Sequence, residues 1–205
     1  MRRKLAVVFC GFLFSLLSFA VPRTIRVDYY HSGNAHQEWF SLDRTVLEPL
    51  DWPGNPAKAI DESGLGNYLF EVREKQSGKL VYSRGFNSAF AEWRDTEEAL
   101  HANRTFSESL RFPSPAVAVE VSLKARKAGS FQEVWKTVVG PKDKFVDRSR
   151  PASPGALIEL QKNGDPATKV DLLMMGDGYT AAERGKFEKD APAIPGEALL
   201  DFTFP

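Results

Sequence analysis

The sequence predicts a mainly β protein, an antiparallel β-sandwich followed by a truncated α/β fragment. Three observations carry that expectation. From Thr24 to about Val139 apolar residues recur at every second position, in runs bounded by Pro or Gly, with no long helical period between them. Beyond Pro151-Ala-Ser-Pro-Gly155 the pattern changes to an almost continuously apolar run, a glycine turn and a helix start, which is how a parallel α/β layer opens. The 205 residues are 42% hydrophobic and 26% charged, a globular balance able to bury a core. Twenty-seven basic residues offset twenty-seven acidic ones, which excludes a strongly basic nucleic-acid binder and an acidic disordered tail. A single cysteine excludes an internal disulfide framework, and three histidines (His31, His36, His101) leave no histidine-rich active site.

Residues 1–20 read as an address. Arg2, Arg3 and Lys4 precede the apolar run Leu5 to Ala20, which ends small-x-small at Ser18-Phe19-Ala20, the pattern of a secretory signal peptide. The alternative is an uncleaved anchor, but a run of about 16 residues is shorter than the ~20 needed to span a bilayer. Cys10 lies inside the run rather than just after it, against a lipoprotein. The expectation is a secreted or periplasmic protein of bacterial type, cysteine-free once processed, with no stable membrane insertion after cleavage.

The elements follow in order. Ile25, Val27 and Tyr29 alternate with Arg26, Asp28 and Tyr30 as in a half-buried strand, and Glu38 to Leu47 forms a second. Three prolines and a glycine in Glu48-Pro-Leu-Asp-Trp-Pro-Gly-Asn-Pro56 predict a loop. Leu69 to Lys75 and Lys79 to Arg84 flank Gln76-Ser77-Gly78 as a hairpin. Thr96 to His101 reads as one or two helical turns capped by Thr96. Arg104 to Phe112, Ala116 to Arg126 and Phe131 to Val139 complete the strands. The expected domain is 21–145, with 146–155 as linker. In 156–205, Ala156 to Leu160 and Val170 to Met175 read as strands, and Thr180-Ala-Ala-Glu183 as a capping box opening a helix through about Ala191. One buried-type strand and one helix cannot cover their own apolar faces, so this region reads as incomplete.

Few constellations carry chemistry. His31 and His36 with Asp28 and Glu38 could be drawn as a metal site, but the spacing matches no standard ligand pattern and a third histidine is missing; solvated or backbone-bonded side chains are the simpler reading. Asp177 in Gly176-Asp-Gly178 lies where α/β sheets place chemistry, yet a tight turn in which the carboxylate takes backbone donors explains it as well. Trp39, Trp52, Trp93 and Trp135 with Tyr29 and Tyr30 could form a platform for a glycan or extended peptide, against the simpler reading as core filling; Trp52 in its loop is the best candidate for exposure. Asn103-Arg-Thr105 fits a glycosylation sequon, read here as accidental. The residues thus assign no catalytic, cofactor-binding or metal-binding position.

Several strings occur in an order that is specific together. They are Tyr29-Tyr-His-Ser-Gly-Asn34, Phe40-Ser-Leu-Asp43, Glu48-Pro-Leu-x-Trp-Pro-Gly-Asn55, Leu65-Gly-x-Tyr-Leu-Phe-Glu71, Tyr82-Ser-Arg-Gly-Phe86, Glu92-Trp93, Arg104-Thr-Phe-x-Glu-Ser-Leu-Arg-Phe-Pro113 and Val170-Asp-Leu-Leu-x-x-Gly-Asp-Gly-Tyr-Thr180. Across about 24–191 the chain resembles secreted zinc metallopeptidases of the immunoglobulin A peptidase type, metallopeptidase family 64. The resemblance implies an N-terminal β-sandwich domain followed by the start of an α/β metallopeptidase domain. It implies zinc only for a full-length member, held by His-Glu-x-x-His on a helix with the glutamate activating water. That motif is absent from these residues, and no histidine follows His101. The chain is therefore expected to be inactive as a peptidase, with no cofactor of its own. Its expected partner is a host or environmental glycoprotein substrate and not nucleic acid. The family's helix after Tyr179-Thr180 normally runs on without prolines such as Pro192 and Pro195. The alternative function is a stand-alone exported sandwich module that binds glycan or protein.

Overall fold

The computed structural model describes residues 21–150, 158–160, 162, 164–165, 167–169 and 172–191. Two four-stranded sheets form the sandwich. Strands β1 (Arg23–Gly33), β2 (Glu38–Asp51), β5 (Arg104–Pro113) and β8 (Val146–Asp147) make the first, in the order β5-β1-β2-β8. Strands β3 (Tyr68–Glu74), β4 (Leu80–Phe86), β6 (Val119–Lys127) and β7 (Ser130–Val139) make the second, in the order β4-β3-β6-β7. All pairings are antiparallel except β2 with β8, which is parallel. The mainly β sandwich expected from the two-residue period is the fold observed.

That period builds the core directly. Ile25, Val27 and Tyr29 on β1, Leu110 and Phe112 on β5, Phe70 and Val72 on β3, and Val119, Val121 and Leu123 on β6 all point into the space between the sheets. Each is at most 4% exposed, so each contributes close to its full transfer free energy, about 1.5–3 kcal/mol for a large aliphatic or aromatic side chain. Tyr29 stacks on Trp135 across the interface, with ring centroids 5.7 Å apart.

Local chemistry closes the turns. Gly78 (φ 72°) ends the β3–β4 hairpin, where its amide donates to the Glu74 carbonyl. The β6–β7 hairpin has a two-residue loop with both positions left-handed, Ala128 at φ 48° and Gly129 at φ 83°, the twist that matches right-handed strands. A short helix, α1 (Ala89–Trp93), follows β4; the Ser88 side chain accepts from the Ala91 amide as its N-cap.

Several expectations need correction. Residues 48–51 are not loop: β2 continues through Pro49 to Asp51, because the ladder to β1 is irregular between Arg23 and Ile25 and asks no regular bond of the proline there. The Arg23 guanidinium donates to the carbonyls of Leu47 and Glu48 in that gap. β6 starts at Val119 rather than Ala116, and Val117 is 50% exposed after Pro113 and Pro115. Glu98–Leu100 is a single 3-10 turn, which Thr96 supports with its backbone carbonyl and not with a side-chain cap.

In the C-terminal region, residues 158–160 and 172–175 form no ladder, where strands were expected. No partner strand lies beside them among the described residues, and Leu172, Leu173 and Met175 are exposed; residues 156–157, 170 and 171 lie outside the described set. The helix is present: a 3-10 turn (Ala181–Glu183) leads into α2 (Arg184–Asp190). The Glu183 carboxylate accepts from the Thr180 amide at 3.0 Å and hydroxyl at 2.8 Å, the capping-box residues expected at this start.

Candidate functional site

The inward row of β1 runs Ile25, Val27, Tyr29, His31, and the inward row of β5 runs Phe112, Leu110, Glu108, Phe106. One polar residue in each row falls at the same end of the sandwich. His31 is 1% exposed, with Glu108 3.2 Å from its Nδ1 and Glu38, at the start of β2, 3.2 Å from its Nε2. Tyr29 donates to Glu108 at 2.8 Å, and Tyr68, from the opposite sheet, donates to Glu38 at 2.6 Å. Phe90 stacks on the imidazole at 3.9 Å and Phe40 covers it at 4.3 Å. Gly33 permits this closure: a Cβ there would sit 2.2 Å from the Gln37 carbonyl and 2.9 Å from the Phe90 ring.

Electrostatics fix the protonation of this cluster. A neutral imidazole has one N–H, so one of its nitrogens would face a carboxylate with a lone pair. Burial works against the charged ring, but hydrogen bonds to Glu108 and Glu38 outweigh it and raise the His31 pKa above the usual 6.5. Burial likewise works against both carboxylates. His31, Tyr68 and Arg94 overcome it at Glu38, and His31 and Tyr29 overcome it at Glu108, so both are held below the usual carboxylate value. Burial first, and the adjacent carboxylates second, push both tyrosine hydroxyls well above 10. One imidazolium between two carboxylates leaves one negative charge, and Arg94 Nη1, 3.5 Å from Glu38 Oε2, balances it from the solvent side.

Arg94 also lines a cleft of about 730 Å³ at this end of the sandwich. Ala35, Ala91 and Ala125 also line the cleft, and Glu38 and Tyr68 join it to the buried cluster. Arg126 and Lys127 from the end of β6 and Asp95 from the segment after α1 supply further charge. The Arg126 guanidinium donates to the carbonyls of Gly64 and Gly66 and lies over the Phe131 ring, 4.2 Å from its centroid.

The residues singled out from sequence are only partly brought together. His31 and Glu38 meet, whereas His36 is exposed beside the cleft and Asp28 points to the outer face, held by Arg26 and Arg44. His31 is neither solvated nor backbone-bonded: carboxylates occupy both its nitrogens. Among the described residues no three His, Cys, Asp or Glu side chains are placed to hold a metal ion. Trp52 is not the exposed tryptophan; it packs on the core edge-on to Tyr82, while Trp39 is 46% exposed. Trp93 is buried with Phe90 and Ala99, and Trp135 packs on the main core. Asp177 sits in the expected turn, closed by its amide donating to Met175, and its carboxylate makes no hydrogen bond among the described residues. In the sequon, Asn103 accepts from Asn34 and Thr105 bonds Ser32. Glu108 and Arg94 were missed by sequence reading.

The fold and site define an antiparallel β-sandwich domain with a charged cleft at one end, braced by a buried ion cluster. Residues 16–136 match the family described as Peptidase M64 N-terminus, and residues 158–203 match IgA Peptidase M64. The chain belongs to the M64 peptidase family and carries the N-terminal portion of an IgA-peptidase-like metallopeptidase. No curated protein matches it.

Proposed function

We propose that this chain is the N-terminal part of a secreted zinc metallopeptidase, in which the sandwich serves as an accessory domain that positions the peptidase domain or holds a glycoprotein substrate. The observation that carries this reading is the ordered pair of family matches, N-terminal domain at 16–136 and peptidase domain at 158–203. The basic and apolar start of residues 1–20 supports export.

The residues present do not fit a zinc centre of the family's kind. The sequence contains no His-Glu-x-x-His, and the one buried histidine has a carboxylate on each ring nitrogen. On this reading zinc and hydrolysis come with the peptidase domain's own His-Glu-x-x-His motif, which these 205 residues do not contain. Sequencing the locus from codon 150 to about a thousand bases past codon 205 tests the reading. A His-Glu-x-x-His in any frame supports it, and a clean stop with no such motif overturns it for this gene. N-terminal sequencing of the exported protein tests cleavage after Ala20.

The exposed Trp39 favours a second reading, a stand-alone exported module that binds glycan or protein. Screening the purified chain against glycans and host glycoproteins tests the second reading, which fails if nothing binds at high micromolar concentration; the locus sequence above separates the two.

A further inference from the structure

We propose that the cleft between α1, the β1–β2 turn and the end of β6 receives an acidic stretch of polypeptide, whose carboxylate is held by Arg94, Arg126 and Lys127. The inference rests on the accessory-domain reading above and names the ligand class of that domain. The three cations come from two separate elements and line one concavity. Two of them are positioned before any ligand arrives: Glu38 holds Arg94 through one Nη, and Arg126 is fixed by two loop carbonyls and the Phe131 face. Among the described residues the Lys127 ammonium and Arg126 Nη1 make no hydrogen bond, whereas the Lys127 backbone is engaged by Ser130, so side-chain donors remain to be satisfied. Heads held in place lose little freedom on binding, and a bond from such a cation to a carboxylate is roughly twice as strong as a neutral one.

The lining also selects against sugar. Sugar sites stack a ring face on an exposed Trp, Tyr or Phe, and among the described lining residues the one of these, Tyr68, is 2% exposed; the exposed ring is the smaller, polar imidazole of His36. Alanine methyls and the side-chain amides of Gln37 and Asn67 instead suit the alternating apolar and amide groups of an extended peptide.

The test is fluorescence polarisation on the whole 205-residue chain with a labelled acetyl-Gly-Glu-Glu-Gly amide, its Gln-Gln counterpart, and unlabelled galacturonate as competitor. The acidic peptide should bind saturably and weaken with salt, and the glutamine peptide should bind about tenfold less well. Lys127→Glu, at an exposed position, should weaken binding about tenfold with the circular dichroism spectrum unchanged. Ala35→Phe, which fills the cleft and leaves every charge, should abolish it. Equal binding of the two peptides, no saturation at millimolar concentration, or stronger binding by galacturonate than by peptide would each overturn the proposal. The locus sequence is decided separately: a downstream zinc motif with no peptide binding sinks this inference alone.

Discussion

His31→Ala tests whether the buried ion cluster is a unit. In the native domain the imidazole is 1% exposed, and the Glu38 and Glu108 side chains flanking it are 8% and 11% exposed. Removing the ring leaves two nearly buried carboxylates whose one remaining ion-pair partner among the described residues is Arg94, 3.5 Å from Glu38 and on the solvent side. Breaking a buried pair in this way costs about 3–5 kcal/mol, a large part of the 5–15 kcal/mol typical of a whole domain. The cost depends on pH in a defined sense. The His31 pKa is raised, so its contribution is complete below 6.5 and is lost as pH rises through the folded value. Both carboxylates are lowered, so theirs is complete above 4.5 and is lost as pH falls through their folded values. The cluster therefore stabilises most between about pH 4.5 and 6.5. Urea unfolding followed by tryptophan fluorescence, across that range and on into alkaline pH, measures it. The wild-type midpoint should fall as pH rises above 6.5, and the variant should lose that dependence. If His31→Ala does not fold, Glu108→Gln keeps the shape, removes one charge that raises the His31 pKa, and should make the decline above pH 6.5 smaller and end it at lower pH. A cost below about 1 kcal/mol, or a midpoint indifferent to pH from 6.5 to alkaline, would refute the reasoning.

Other outcomes follow from single contacts. Phe90→Ala should cost about 3–5 kcal/mol by urea unfolding, since Phe90 is 0% exposed and carries the stack on His31. Gly129→Ala should cost about 1–2 kcal/mol through backbone strain alone, because φ is 83° and an added Cβ would meet nothing within 4 Å. Ala128→Gly relieves the neighbouring φ of 48° and should be neutral or stabilising by up to about 1 kcal/mol in a thermal melt. The purified chain incubated with zinc should cleave no peptide bond in an immunoglobulin A digest resolved by mass spectrometry.

The sandwich was legible because its strands alternate: Ile25, Val27 and Tyr29, or Val119, Val121 and Leu123, declare an inward row without reference to any other strand. What escaped depended on partners far away in sequence. Pro49 argues for a loop until the gap in the β1–β2 ladder is seen. Five-residue α1 is too short to show a helical period. Glu108 reads as a solvated acid in Ser107-Glu-Ser109, and its bond to His31 spans 77 residues. The available signal was one polar residue in each of two inward rows, His31 after Tyr29 and Glu108 between Phe106 and Leu110; pairing them needs the register of β1 on β5. The segment at 172–175 is apolar enough for a buried strand, but composition supplies no partner, and among the described residues none lies beside it and no ladder forms.

The two-residue strand β8 has a mechanical meaning. Past β7 the chain is caught again at Thr45 and Val46, and Arg148 ties the intervening loop by donating to the carbonyls of Pro141, Asp143 and Val146. A pull on the chain beyond Arg148 therefore loads this clasp before it loads the long strands. Two bridged pairs yield before the extended β1–β2 ladder does, and the slack released is the contour between Val139 and Val146, about 25 Å at roughly 3.5 Å per residue, less the distance that the loop already spans. The sandwich can give length under tension while its core, and the ion cluster within it, stay whole.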